Sequence, residues 1–187
     1  MGFNIGVFSE QTPNNFDRHH IVDRAFYNFV NDGEQYGDES ILIKAGQYYG
    51  LDLSPLLKLV YTWDEVTADY FKGNIQTVDF LLSLTIAFRD KIQNDTSVCD
   101  KIKYVWYDQP INFSQEDIDK LTTEMGEEMA RPFLDTIERQ KKEINENPNP
   151  WKWYFEQGQI IEDLNNLIKS IQCYKDKGAA EIYLTAG

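Results

Sequence analysis

Thr77-Val78-Asp79-Phe80-Leu81-Leu82-Ser83-Leu84-Thr85-Ile86-Ala87-Phe88-Arg89-Asp90-Lys91-Ile92 is the most apolar stretch of the chain. Val78, Leu81, Leu82, Leu84, Thr85, Phe88 and Ile92 recur at helical spacing and cover more than half of the helix circumference, so the segment predicts a central helix. A helix of that kind needs partners on several sides, and the flanking sequence supplies them.

At the two ends, Phe3 to Phe8 and Glu181 to Leu184 are short apolar runs bounded by turn residues, which predicts strands. Between them the pattern is mostly helical. One helix follows Asn15, with Ile21, Val22, Ala25, Phe26, Phe29 and Val30 on its apolar face and Asn31-Asp32-Gly33 as its stop. Ser54 before Pro55 predicts a short helix through Tyr61, because serine can accept an orphan amide and proline lacks one. Asp64 opens another helix that stops at Lys72-Gly73-Asn74. Ser114 caps one that ends near Met125. Pro132 predicts a new start or a kink, with Phe133, Ile137 and Ile144 lining one face. The last helix runs from about Trp153 to Lys177, carries Ile161, Leu164, Ile168 and Ile171, and is ended by Gly178. Ile41 to Ala45 is too brief to assign, and Lys101 to Tyr107 alternates like a strand, with a helical end as the alternative. Together these elements predict an α+β fold, a mainly helical single domain over residues 1–187 with a small sheet including the N- and C-terminal strands. The turn from Asn145 to Pro150 has linker composition, yet Trp151, Trp153 and Phe155 follow at once and need a core to enter.

At 187 residues, 42% of them hydrophobic, the chain can bury a core without staples. Its 31 acidic and 18 basic residues give a net charge of −13, spread over both halves. Such a field repels phosphate backbones and anionic membrane surfaces, which excludes direct nucleic-acid or membrane binding by basic patches. It favours a cationic partner, although acidity also serves solubility alone. Cys99 and Cys173 have neither disulfide-scaffold density nor metal spacing and read as reduced core thiols. With no secretory leader pattern and no run of about 18 apolar residues, the expectation is a cytoplasmic protein.

Candidate chemistry is sparse. Asp17, His20 and Asp23 share a helix face at spacings of three, a geometry open to a divalent ion, but the His-Glu-x-x-His pattern is missing and helix starts carry aspartates for capping. Neither cysteine has the flanking sequence of an activated nucleophile. No glycine loop links a strand to a helix with a lysine, so no nucleotide cofactor is expected.

Two clusters are better suited to binding than to catalysis. Glu116, Asp117, Asp119, Glu124, Glu127 and Glu128 place six carboxylates around one lysine, Lys120. Trp151, Trp153, Tyr154 and Phe155 cannot all face one core from a helix, so at least one aromatic is expected at the surface, where Trp and Tyr often anchor interfaces. The same clusters are also compatible with a solvated helix face and a packed helix start. In general character, small, acidic and without catalytic motifs, the chain resembles bacterial immunity proteins. The sequence thus predicts a non-enzymatic inhibitor of a basic protein partner, such as a toxin or nuclease. The alternatives are a nucleic-acid mimic, which needs carboxylates in extended rows, or a carboxylate- or metal-dependent enzyme using Asp17, His20 and Asp23.

Overall fold

A computed structural model describes residues 4–11, 22, 24–36, 40–61, 72–102, 104, 114–146 and 149–187. The fold is mainly helical α+β with a small mixed sheet that includes both terminal strands, as the sequence predicts. Its contacts group into two compact units, Met1–Lys103 with Trp151–Gly187, and Tyr104–Pro150.

The larger unit is organised around one strand, β4 (Glu181–Ala186). Along one edge β1 (Ile5–Phe8) runs antiparallel, with Ile5 opposite Ala186 and Phe8 opposite Tyr183. The other edge is shared end to end. β2 (Leu59–Tyr61) lies parallel with Leu59 opposite Leu184, and β3 (Gln76–Thr77) lies antiparallel with Gln76 opposite Ile182. Ile182, Tyr183, Leu184 and Ala186 are all buried, so β4 is covered on both faces, with only Thr185 among them half-buried. The Ser9 hydroxyl donates to the Glu181 carbonyl at 2.7 Å and pins the end of the β1 pairing.

Among the described residues of this unit, six helices surround the sheet: α1 (Arg24–Tyr36), α2 (Ile41–Tyr49), α3 (Val78–Asn94), α4 (Val98–Lys101), α7 (Lys152–Glu156) and α8 (Gln159–Asp176). α3 is the central helix expected, burying Val78, Leu81, Leu82, Thr85, Phe88 and Ile92, and its main helical neighbour is α8. Each fully buried Leu, Ile or Phe contributes roughly 1.5–3 kcal/mol.

Several local expectations change. α1 continues through Asn31-Asp32-Gly33 to Tyr36, since a glycine costs a helix only about 1 kcal/mol and burial of Phe26, Phe29 and Val30 offsets that. Val22 belongs to a bridge opposite Ile5 and not to the helix. α2 fills the unassigned segment. Ser40 caps it, and Gly50 closes it at φ 71°, letting Leu51 N–H reach the Gly46 carbonyl at 2.8 Å. Gly46 permits that return, because a Cβ there would lie 2.7 Å from Leu51 O. The Ser54-Pro55 start gives only a 3-10 turn, Ser54–Leu57, before β2; it has no side-chain cap, and Ser54 N–H donates to Asp52 Oδ1 at 3.0 Å. The strand expected from Lys101 is replaced at its start by α4, which takes Lys101 into a helical turn, and most of its remainder lies outside the described residues. The helix opened by Asp64 also lies largely outside them.

The expected terminal helix is two helices. Gly158, at φ 75°, separates α7 from α8. The buried stripe of α8 is Ile160, Leu164, Leu167, Ile171 and Tyr174, while Ile161 and Ile168 are half-buried. Both stripes alternate spacings of three and four, so periodicity alone did not choose the rotation. Cys99 is buried and Cys173 half-buried, both as thiols.

Among its described residues the smaller unit contributes two helices, α5 (Gln115–Met125) and α6 (Glu127–Glu146), which pack on each other. Gly126, at φ 79°, continues the last turn of α5 through its N–H to Thr122 O and starts α6 through its carbonyl to Ala130 N–H. That backbone conformation suits only glycine. α6 runs through Pro132 and does not start there. Near a helix start, proline deprives only the Glu128 carbonyl of a partner, and Glu128 is exposed to water.

Candidate partner-binding surface

The residues singled out in the sequence divide between the units. Glu116, Asp117, Asp119, Glu124, Glu127 and Glu128 belong to the smaller one, and Trp151, Trp153 and Tyr154 to the larger.

All six carboxylates are exposed, but they differ in role. Ser114 and Asp117 form a capping box: Ser114 Oγ accepts from Asp117 N–H at 3.2 Å, and Asp117 Oδ2 accepts from Ser114 N–H at 2.9 Å and Oγ–H at 2.7 Å. Those bonds hold the Asp117 carboxyl below its ordinary pKa. Asp117 is therefore committed to its own helix. Asp119 accepts from Gln115 Nε2 at 2.9 Å. Glu116 sits in the first turn of α5, and Glu127 and Glu128 in the first turn of α6, where negative charge complements the helix dipole. Glu124 lies at the opposite end of α5, where a carboxylate opposes the dipole, so helix electrostatics do not account for it.

Two apolar side chains stand among these charges. Met129 is 66% exposed and Phe133 55%. The sequence grouped Phe133 with Ile137 and Ile144, but the buried stripe of α6 is Ala130, Ile137 and Ile144, a repeat of seven. At 100° per residue, Phe133 lies about 40° from the Ile137 direction and Met129 about 80°, which places both at the rim of the stripe. Counting back by sevens from Ile144 would have reached Ala130 and left Met129 and Phe133 outside.

In the larger unit, the aromatic segment is mostly core. Phe29 is the hub, with ring centroids 5.2 Å from Trp151, 5.8 Å from Tyr154 and 5.7 Å from Phe155. Tyr154 is fully buried and its hydroxyl donates to Asp163 Oδ2 at 2.6 Å, so the expectation that Tyr154 meets a partner is corrected: its ring and its hydroxyl are both used inside. Trp151 is half-buried. Trp153 is the exposed member, at 44%, stacked at a tilt on Tyr154 with centroids 5.5 Å apart. Next to it in sequence, Lys152 pairs with Asp100 at 2.6 Å and Glu156 at 3.5 Å, which ties α7 to α4.

A second polar constellation lies between α2 and α4. Tyr48 O–H donates to Asp95 Oδ2 at 2.7 Å and accepts from Lys101 Nζ at 2.6 Å, while Lys101 reaches Asp95 Oδ2 at 3.0 Å. Ser97 donates to Asp95 Oδ1 through N–H and Oγ–H, and Tyr49 O–H donates to the Asp95 carbonyl. Bonds from Ser97, then Tyr48 and Lys101, hold the Asp95 carboxyl well below the usual carboxylate range. Bonds to Tyr48 and Asp95 raise Lys101. Every charge here is compensated locally, so the group fastens α2 to α4 and offers no poised acid or base.

An open depression of about 470 Å³ is lined by Ile168, Lys169, Gln172, Cys173, Asp176 and Lys177. Its lining holds a thiol and no histidine. Asp17, His20 and Asp23 lie outside the described residues, and among the described residues no cluster of three or more His, Cys, Asp or Glu could hold a metal. Among them, too, no helix is long and apolar enough to cross a membrane. No protein-family model, no curated protein and no solved structure matches the chain.

Proposed function

We propose that the protein is a non-enzymatic, acidic binding protein that neutralises a basic macromolecular partner in the cytoplasm, in the manner of an immunity protein. The observation that carries this reading is the run of six exposed carboxylates from Glu116 to Glu128, with Glu124 left unexplained by the needs of its own helix. The net charge of −13 adds a long-range field that draws cationic proteins in. Trp153, exposed on a ring-supported base, is a further contact residue, with the half-buried Trp151 two positions before it in sequence.

The test begins with capture from native lysate at about 50 mM and about 500 mM salt, where screening lengths differ roughly threefold. A basic protein released by high salt is then studied kinetically. The triple change Glu124→Lys, Glu127→Lys and Glu128→Lys is expected to slow its association about tenfold or more and flatten its salt dependence. Unchanged rates and salt dependence in the triple variant would refute the proposal.

A further inference from the structure

We draw no further inference here: the strongest candidate, the open depression on α8 that holds Cys173, carries nothing, because among the described residues its lining comes from that helix and its C-cap alone and no second group there points to a ligand for a lone half-buried thiol.

Discussion

In the larger unit Tyr154 and Asp163 are both buried and bonded to each other, whereas in the smaller unit Ser114 and Asp117 exchange the same kind of bond in open water. The first pair joins α7 to α8 and depends on a core; the second closes a single helix end and depends on nothing outside it. The contrast extends to the apolar residues. α3 and α8 each bury a full stripe, but α5 buries none of its side chains and holds Ile118, Leu121, Thr122 and Met125 only half-covered. Stability is concentrated where side chains are far from water. The smaller unit keeps its charges and two large apolar groups available, and local devices such as caps and a positive-φ glycine hold its helices.

The sharpest way to break this contrast is to remove one apolar side chain from each unit. Phe29→Ala should cost about 3–5 kcal/mol, since it empties the centre of a ring cluster, while Leu121→Ala should cost about 1 kcal/mol. Urea unfolding followed by circular dichroism reads both, and equal costs would abolish the distinction. A smaller effect sharpens it. Ser114→Ala removes the cap and should cost about 1 kcal/mol, seen as an increase of about fivefold in amide hydrogen exchange over the first turns of α5 with the exchange of α3 unchanged. Acceleration spread through α3 would mean that the cap supports the whole chain.

The smallest effect concerns pH. The Asp95 side chain is about a third exposed, so solvent weakens its bonds to Ser97, Tyr48 and Lys101. Because its pKa is lowered on folding, its contribution is present above the ordinary aspartate value of about 4 and is lost as the pH falls through the lower folded value. The melting-temperature gap between the natural protein and Asp95→Asn should therefore be widest near pH 7 and narrow towards about pH 2. A gap that does not change with pH would assign the effect of the substitution to packing.

The sequence made the central helix, the two terminal strands, the Ser114 cap and the Gly178 stop legible, because each is a local signal: dense apolar spacing, turn-bounded runs, a serine at a helix start, a glycine after its end. What it hid was decided by tertiary contact. α1 passes through Asn-Asp-Gly because Phe26, Phe29 and Val30 are anchored on one side. α8 turns Ile160 and Leu167 inward in place of Ile161 and Ile168, a choice that its neighbour α3 makes. Lys101 joins a helical turn because α4 is held to α2 by the Asp95 network. Of the surface residues, one exposed aromatic in the 151–155 segment was foreseeable from crowding alone, but that it is Trp153 and not Tyr154 required knowing where Asp163 lies. Met129 and Phe133 were hidden for the opposite reason: apolar residues on a helix read as core, and only the heptad of Ala130, Ile137 and Ile144 reveals them as its rim.

The pairing of β1, β2 and β3 with β4, and with no other named strand, has a consequence for biosynthesis. The ribosome makes all three before β4 exists, so each emerges without its strand partner. The nascent chain can assemble helices early, but the sheet must wait for residues 181–186 to leave the exit tunnel. Any stall upstream of them would leave three strand edges open together, the state in which a chaperone is needed most.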